Sequence, residues 1–149
     1  MNQKRTRRVA LAGNPNSGKS SIFNALTGAH QKVGNYPGIT VEKLEGHYFF
    51  NDTRYNLVDL PGTYSLTSFS PEERVAQEEL LDSELDLVIV VVDSTVLSRS
   101  LMLLSQIMQI GLPVVLCLNM ADEARESGQE LNLPHLRRLL GVPVIETVG

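Results

Sequence analysis

Eight consecutive residues near the start of the chain have the types and spacing of a phosphate-binding loop, GxxxxGK[ST]. They are Gly13, Asn14, Pro15, Asn16, Ser17, Gly18, Lys19 and Ser20. In such a loop closely spaced backbone amides face the phosphates, the lysine reaches the β and γ phosphates, and the final hydroxyl binds Mg²⁺. The apolar run 9–12 precedes the loop and a helical stretch follows it, which favours this interpretation over a glycine-rich turn without a ligand. The motif therefore predicts a site for a nucleoside triphosphate.

Two further segments follow this loop in the order expected of a nucleotide-dependent switch. The stretch 34–40 is rich in turn residues and ends in Thr40, whose hydroxyl we expect to close over Mg²⁺ and the γ phosphate. Asp59 and Gly62 form a DxxG motif, in which the aspartate can hold Mg²⁺ through water and the glycine amide can sense the γ phosphate. Each segment alone also fits an ordinary surface turn, but their order behind the loop favours a switch.

The residues 119–122, NMAD, match the pattern NxxD and predict which base is bound. The Asp122 carboxylate can accept both N1–H and the exocyclic amine of guanine, whereas adenine offers no such pair of donors. Asn119 can contact the guanine edge and brace the phosphate-binding loop. The alternative is a helix cap at either residue. Because the three earlier motifs precede it in the expected order, this motif favours guanine specificity.

The chain has 149 residues, 42% of them hydrophobic, and fits one domain. Strand-like and helix-like segments alternate, which predicts a doubly wound α/β fold with a mostly parallel sheet. Strands are predicted at 8–12, 43–50, 54–59, 87–92, 114–118 and 143–146, and helices are predicted to begin at Lys19, Pro71, Leu97 and Leu133. Asn51 and Asp52 predict a tight turn that joins the second and third strands as an antiparallel hairpin. Ser70 and Glu73 predict a capping box for the helix at Pro71.

The composition argues against several classes of function. Thirteen basic and seventeen acidic residues give a net charge of −4, which disfavours a general nucleic-acid binder. The basic cluster Lys4, Arg5, Arg7 and Arg8 is predicted to be a solvated leader, with contact to acidic lipid or RNA as the less favoured alternative. Every apolar run is far shorter than the ~20 residues that cross a bilayer.

The residues that could bind iron or form a disulfide predict neither. The single cysteine, Cys117, lies in an apolar run and is predicted to be a buried, inert thiol in a reducing compartment. His30, His47 and His135 share no metal-ligand spacing and have no neighbouring cysteine or carboxylate cluster in sequence. We therefore expect no iron site in this chain.

Four segments together resemble one family in particular. They are GNPNSGKSSIFNALTG at 13–28, VGNYPGITVEKLEG at 33–46, DLPGTYSL at 59–66 and NMAD at 119–122. In this combination they resemble the intracellular GTPase domain of the FeoB family, the bacterial ferrous iron transporters. The resemblance covers nearly the whole chain. It implies a P-loop GTPase fold, with a mostly parallel central sheet, one antiparallel strand and helices on both faces.

The resemblance and the motifs together imply a set of site residues. The nucleotide contacts would be Asn14, Pro15, Asn16, Ser17, Gly18, Lys19, Ser20, Ser21, Gly38, Ile39, Thr40, Asp59, Gly62, Asn119, Met120 and Asp122. The Mg²⁺ ligands would be Ser20, Thr40 and Asp59, and K⁺ would be held by Asn16 and by backbone carbonyls of Gly34 and Tyr36. Such a K⁺ ion offsets charge on the transferred phosphoryl group in place of an arginine finger.

Catalysis is expected to depend on four residues, Lys19, Asn16, Thr40 and Gly62. Thr63 stands where many small GTPases carry a glutamine that orients the attacking water. Threonine is too short to do this in the same way. Slow intrinsic hydrolysis is therefore expected.

The resemblance also implies a place in a larger protein. Residues 1–149 would be a soluble G domain at the cytoplasmic face of the bacterial inner membrane, followed by a helical spacer and a transmembrane region. The sequence ends near the start of the last guanine-contacting loop, so we expect a fragment without the rest of that loop and the terminal helix. Self-association is left open, and no nucleic-acid partner is expected.

These inferences predict a domain that binds GTP with Mg²⁺, hydrolyses it slowly, is stimulated by K⁺, and regulates or drives ferrous iron uptake through an attached transporter. A first alternative is a nucleotide-sensing module with negligible turnover. A second is a free-standing GTPase that acts on the ribosome or tRNA, which the acidic charge balance disfavours.

Overall fold

The computed structural model describes residues 5–67, 69–82 and 84–148. Seven strands form one sheet in the order β2-β3-β4-β1-β5-β6-β7. The strands are β1 (Arg5–Gly13), β2 (Gln31–Asn35), β3 (Glu42–Phe50), β4 (Thr53–Asp59), β5 (Leu87–Asp93), β6 (Val114–Asn119) and β7 (Val144–Glu146). Only β3 pairs antiparallel with its neighbours, β2 and β4, and the other neighbouring pairs are parallel. The described residues thus form the predicted α/β fold with one antiparallel strand.

Five α-helices connect the strands. They are α1 (Lys19–Thr27), α2 (Pro71–Asp82), α3 (Leu101–Ile110), α4 (Ala121–Glu126) and α5 (Leu133–Leu140), and a 3₁₀ helix at Ser94–Ser100 precedes α3. Parallel strands need such crossovers, and their carboxyl ends then meet at one edge of the sheet. Since β1, β4 and β6 each end in a predicted site motif, the topology brings the three motifs to that edge.

Helices cover both faces of the sheet. On one face α1 contributes Phe23, which is buried against alternate residues of β1 and β4 such as Leu11 and Leu57. On the other face α2 and α3 contribute Leu80 and Ile107 to a larger core. Successive strand residues point to opposite faces, so each central strand supplies both cores and reads as a continuous apolar run. These cores hold the strand ends in fixed positions.

The predicted hairpin between β3 and β4 is confirmed. Its turn is Asn51 and Asp52, whose φ angles of 48° and 62° lie in the left-handed region. Two successive positive φ values match the twist of an antiparallel pair, and asparagine and aspartate tolerate them better than most residues do. The turn therefore fixes the register in which Phe50 faces Thr53.

The start of α2 is also as predicted. The Ser70 hydroxyl accepts a hydrogen bond from the Glu73 backbone N–H at 3.1 Å, which satisfies one of the free amides of the first turn. Pro71 occupies the first helical position, where its missing N–H costs nothing. Serine capping thus sets where the helix begins after the DxxG segment.

Three local features differ from the predictions. The helix predicted to begin at Leu97 begins at Leu101, because a 3₁₀ helix capped by the Asp93 side chain comes first and a non-helical residue, Val96, interrupts it. Strand β2, which was not predicted, includes the first two residues of the stretch 34–40 that was predicted to be a loop, and pairing with β3 holds it. The short helix α4 was not predicted, and it begins directly after Met120.

Other predictions concern the chain as a whole. Cys117 is buried, and burial raises the pKa of its thiol, as expected for an inert cysteine. In the described ranges no helix is long and apolar enough to cross a membrane, and no group of three or more potential metal ligands of the His, Cys, Asp and Glu types is formed. Lys4 of the basic cluster lies outside the described residues.

Candidate functional site

The phosphate-binding loop connects the buried end of β1 to the first turn of α1. Its backbone uses the left-handed region twice, at Asn16 (φ 66°) and at Gly18 (φ 86°). A Cβ atom at Gly18 would lie 2.0 Å from Nδ2 of Asn119, and one at Gly13 would lie 2.5 Å from the carbonyl oxygen of Val91. Both glycines are therefore required by close approach, and Gly18 by its φ angle as well.

Asn119, the first residue of NMAD, braces this loop from below. It is fully buried, and its Nδ2 donates a hydrogen bond to the carbonyl oxygen of Ser17 at 3.0 Å. The Thr147 hydroxyl donates to Oδ1 of Asn119 at 2.8 Å, so the amide is held at both ends. Asparagine thus performs the bracing role predicted for it. The contribution of Thr147 was not predicted.

Asn14 fixes the loop on its other side. Its side chain is buried, and Nδ2 donates to the carbonyl oxygen of Arg99 at 3.1 Å and lies 3.4 Å from the Ser100 hydroxyl. Arg99 and Ser100 end the 3₁₀ helix before α3. The Asn14 side chain is therefore an anchor between the loop and α3, and its backbone is the part that remains for contact with a nucleotide.

Lys19 and Asp59 form an ion pair across the site. The Lys19 ammonium donates a short hydrogen bond to Oδ1 of Asp59, and both side chains are almost completely buried. Burial raises the pKa of Asp59, and the neighbouring Lys19 ammonium opposes that rise. The phosphate-binding lysine and the predicted Mg²⁺ aspartate are thus in direct contact in this structure.

The residues predicted to bind Mg²⁺ fit a hard divalent cation by their chemistry. Asp59 supplies a carboxylate beside the phosphate-binding loop, and Ser20 supplies a hydroxyl in the first turn of α1. Both are oxygen ligands of the type Mg²⁺ prefers, and the ion normally keeps several waters and adds phosphate oxygens. Thr40 lies exposed in a bend between β2 and β3. Its role as a third ligand stays a prediction.

The loop after β2 is held by Tyr36. The Tyr36 N–H donates to the carbonyl oxygen of Val41 at 3.0 Å, and its own carbonyl oxygen accepts from the Ile39 N–H at 3.3 Å. The intervening Gly38 has φ 76°, which closes this small turn. The carbonyl predicted to bind K⁺ is therefore already engaged in a turn. Gly34, the other predicted carbonyl ligand, lies within β2.

The Tyr36 side chain connects this loop to α2. It is buried against Val41 and against Val75 of α2, and its hydroxyl has no hydrogen-bond partner among the described residues. Burial, followed by the nearby carboxylates of Glu79 and others, raises the pKa of the Tyr36 phenol above its ordinary value. The Lys43 ammonium lies 5.3 Å from the ring centre. One aromatic side chain thus couples the first predicted switch segment to α2.

The segment after β4 lies against the phosphate-binding loop. The Thr63 N–H donates to the carbonyl oxygen of Gly13 at 3.1 Å, and a Cβ atom on Gly62 would lie 3.1 Å from the backbone of Pro15. The Thr63 side chain is buried. Gly62 therefore lies beside the loop, as its predicted role in sensing the γ phosphate requires.

Glu73 holds the next part of this segment. Its carboxylate accepts a hydrogen bond from the Thr67 N–H at 3.2 Å, and the hydroxyls of Thr67, Ser65 and Ser70 also lie within hydrogen-bond distance. The bond from the Thr67 hydroxyl is the largest of several influences that lower the pKa of Glu73. The sequence predicted Glu73 only as part of a helix cap. The stretch of hydroxyl residues before it was the available signal for this larger role.

The base-recognition segment follows β6. Met120 has φ 58°, and Asp122 lies exposed in the first turn of α4. Asp122 thus lies three residues after Asn119, the buried residue that braces the phosphate-binding loop. Asp122 as the residue that selects guanine stays a prediction, as do the contacts assigned to Ser21 and Ile39.

The comparisons with known proteins agree on one family. The sequence model of the family described as ferrous iron transport protein B (FeoB_N) matches residues 7–149. A fusion of Fe(2+) transport protein A and Fe(2+) transporter FeoB from Porphyromonas gingivalis is 50% identical over 143 residues, which cover 95% of this chain and 17% of that protein. The chain thus spans less than a fifth of the length of such relatives.

Solved structures show the same similarity over the whole fold. The G domain of the T. maritima FeoB iron transporter has a TM-score of 0.91 and 45% identity, with 97% of this chain and 88% of that chain covered. The cytosolic domain of T. maritima FeoB in its GMPPNP form has a TM-score of 0.92 and 46% identity, with 95% of this chain and 56% of that chain covered.

Proposed function

The chain belongs to the ferrous iron transport protein B family, and from that premise we propose that it is a G domain that binds GTP with Mg²⁺ and hydrolyses it slowly. The single observation that carries the proposal is the braced phosphate-binding loop, in which Asn119 links NMAD to the Ser17 carbonyl. A relative with 46% identity is known in a GMPPNP form, which is the form of a triphosphate analogue.

The predicted site residues have different roles in binding the nucleotide and Mg²⁺. Lys19 leaves Asp59 and contacts the β and γ phosphates, while the amides of the loop face the same oxygens. Asp59, with Ser20 and Thr40, would hold Mg²⁺, which when bound offsets the phosphate charge. Asp122 accepts the two guanine donors.

Hydrolysis is proposed to be slow because the side chain at Thr63 does not position water. Thr63 is buried, and its backbone N–H is bonded to Gly13. We expect Gly62 and Thr40 to orient the water and the γ phosphate through backbone and hydroxyl contacts. Asn16 would hold K⁺ beside the phosphates, where its charge favours the transition state.

In the full-length protein this domain would sit at the cytoplasmic face of the bacterial inner membrane, ahead of a helical spacer and a transmembrane region. GTP binding and hydrolysis there would regulate or drive ferrous iron uptake. The relatives that suggest this are several times longer than the present chain.

A nucleotide sensor with negligible turnover is the second candidate. It is favoured by one observation, since the Tyr36 carbonyl predicted to bind K⁺ accepts a hydrogen bond from Ile39 instead. A sensor needs only the change in order of the loops, whereas a K⁺-assisted enzyme needs this carbonyl oxygen to direct its second lone pair at the ion or the turn to open.

Single-turnover hydrolysis of GTP in K⁺ and in Na⁺, for the wild type and Asn16→Ala, separates the two candidates. We expect faster hydrolysis in K⁺ and loss of this stimulation in Asn16→Ala, with nucleotide affinity retained. Equal and negligible rates in both salts would favour the sensor.

Two binding measurements test the nucleotide assignment itself. Lys19→Ala should abolish binding of a fluorescent GTP analogue, because the charge that faces the phosphates is removed. Asp122→Asn should weaken guanine binding and favour xanthine nucleotides. Retained guanine preference in Asp122→Asn would show that base recognition is assigned to the wrong residue.

A further inference from the structure

The end of the sheet opposite the phosphate-binding loop carries two exposed aromatic side chains. Phe49 and Phe50, at the tip of the β3–β4 hairpin, are 54% and 62% exposed. The tight turn at Asn51 and Asp52 holds them. Because β1 begins beside β4 at this end and reaches the phosphate-binding loop nine residues later, the tip lies about 25 Å from that loop. The proposed nucleotide chemistry does not use these phenylalanines.

Arginines surround this aromatic tip. The parallel register of β1 and β4 places Arg5 opposite Thr53 and Arg7 opposite Tyr55, and both arginines are exposed. The Arg54 guanidinium lies 5.9 Å from the centre of the Phe49 ring, within reach of a cation–π contact. We refer to Arg5, Arg7, Arg8, Arg54, Phe49 and Phe50 as the basic–aromatic end.

These arginines are not neutralised locally. Within the described ranges, none of the four has a carboxylate within ion-pair distance. Among the acidic residues near this end, Asp52 lies in the hairpin turn beside Phe50, Glu45 pairs with Lys43 at 3.9 Å, and Asp86 accepts the backbone N–H of Arg8 at 2.8 Å. The basic–aromatic end is therefore a local concentration of available cations on a chain whose net charge is −4.

A cavity of about 460 Å³ opens at the same end, with Arg8, Lys32 and Arg54 among its lining residues. The rings of His30 and His47, which also line it, stack with their centres 4.5 Å apart. Desolvation, then Arg54 and then His30, lowers the pKa of His47. Glu45 also lines the cavity and pairs with Lys43, so the cations outnumber the carboxylate in a concave site of a size that suits a phosphate-bearing group.

We propose that the basic–aromatic end docks on an anionic phospholipid surface, with Phe49 and Phe50 in the interface and a lipid phosphate at the cavity. Phenylalanine rings gain free energy when their apolar surface is buried at the boundary between headgroups and acyl chains, and each basic residue near an anionic leaflet adds to the attraction. This inference goes beyond the proposed GTP binding and does not require it. The predicted nucleotide site would face away from the bilayer.

RNA is the other polyanion that such a surface could attract, but the arrangement of the phenylalanines favours the membrane. Neighbouring strand residues point to opposite faces of a sheet, so Phe49 and Phe50 project to the two sides of the hairpin. Stacking of successive bases needs aromatic rings that share one surface. A lipid interface, in contrast, can surround the whole tip.

Flotation with lipid vesicles tests the proposal on the 149-residue chain. The G domain of a relative has been crystallised as a separate unit, which supports the use of this chain by itself. We expect the chain to float with phosphatidylcholine vesicles that contain phosphatidylglycerol and not with vesicles of phosphatidylcholine alone. Phe49→Ser/Phe50→Ser should weaken binding at least about tenfold, and Arg54→Gln about fivefold.

Matched control variants come from α5, where Arg138 and Leu139 are also exposed. Arg138→Gln and Leu139→Ser should leave flotation unchanged, and circular dichroism should show that every variant is folded. Equal flotation with neutral vesicles, or no flotation with anionic ones, would overturn the proposal. So would binding that is lost in Arg54→Gln but unaffected by the double phenylalanine variant, especially if RNA competes, because the surface would then be a polyanion site.

Discussion

The phosphate-binding loop forms one side of the predicted nucleotide site, and the two switch segments, 34–41 and 60–67, form the other. The two sides are held in different ways. The loop is fixed by buried amide side chains, since Asn119 bonds Ser17 from one side and Asn14 bonds the Arg99 carbonyl from the other. The switch segments lie mostly near the surface. The Tyr36 side chain holds 34–41 by packing against α2, and the Glu73 carboxylate holds 60–67 by accepting hydrogen bonds.

This difference separates the part of the site that recognises phosphates from the segments that change conformation when a ligand binds. Buried, hydrogen-bonded side chains are costly to move, so we expect the loop to keep the shape that receives phosphates whether or not they are present. Exposed turns held by a few contacts open at small cost, and segments that respond to ligands are usually of this kind. The four predictions below test whether the free energies follow this division.

The largest effect is expected for Gly18→Ala. The new Cβ would lie 2.0 Å from Asn119 Nδ2, and the φ of 86° is strained for alanine, so the brace and the loop must both shift. Nucleotide affinity, measured with a fluorescent GTP analogue, should fall at least about a hundredfold, corresponding to a few kcal/mol. The matched control is Gly111→Ala, whose φ is 92° but whose Cβ would meet no atom within 4 Å. Equal losses of stability in the two variants would show that strain, and not the contact with Asn119, is the cause.

A smaller effect is expected for Thr147→Val. It removes the hydroxyl that donates to Oδ1 of the fully buried Asn119, and the loss of this hydrogen bond should cost about 1 kcal/mol in the free energy of unfolding. Denaturant unfolding measures this cost. Thr147→Ser keeps the hydroxyl and should keep most of the stability. If the valine variant is as stable as the wild type while the serine variant loses stability, the Thr147 methyl group is what matters, and the proposed brace is wrong.

On the switch side, Tyr36→Phe should be neutral or slightly stabilising. The buried hydroxyl has no partner among the described residues, so its removal loses no hydrogen bond there and spares a desolvation cost of up to about 1 kcal/mol. The same unfolding experiment measures the change. Tyr36→Ala, which also removes the contacts with Val41 and Val75, should instead make 34–41 more sensitive to protease. A clear loss of stability in Tyr36→Phe would show that the hydroxyl does have a partner.

The smallest effect is expected from the titration of Glu73. Its pKa is lowered from the ordinary value of 4.5, so its hydrogen bonds favour the ordered segment above that value. They are lost as the pH falls through the lowered pKa in the folded state. The protection factor of the Thr67 amide should therefore fall as the pH drops below 4.5, and Glu73→Gln should have low protection without this pH dependence. Unchanged protection of the Thr67 amide in Glu73→Gln would show that the Glu73 carboxylate does not hold this segment.

Local sequence was sufficient for those parts of the fold that depend on neighbouring residues. The phosphate-binding loop, the Asn51–Asp52 turn and the Ser70 cap each follow from residue types within a few positions. Strand β2 was missed because all of its residues are exposed and none shows strand alternation. It is an edge strand that exists through its pairing with β3. The start of α3 was placed too early because apolar spacing alone does not reveal the interruption at Val96.

In the site, the residues that reach across the chain were the ones missed. Thr147 is 28 residues from Asn119, and Arg99 is 85 residues from Asn14. Neither contact leaves a spacing pattern, because the fold and not the local chain brings the partners together. The anchoring role of the Asn14 side chain was likewise not predicted, and contact of Asn14 with the nucleotide stays a prediction.

The ion pair between Lys19 and Asp59 has a consequence for the order in which ligands can load. A metal ion that binds alone meets the Asp59 carboxylate, whose charge the Lys19 ammonium already compensates. A triphosphate that binds alone must draw the Lys19 ammonium away and leave the largely buried Asp59 carboxylate without its partner. Only the two together replace both partners at once. The ion pair therefore makes the two ligands bind with positive cooperativity, so that triphosphate and Mg²⁺ each raise the affinity for the other by the same factor.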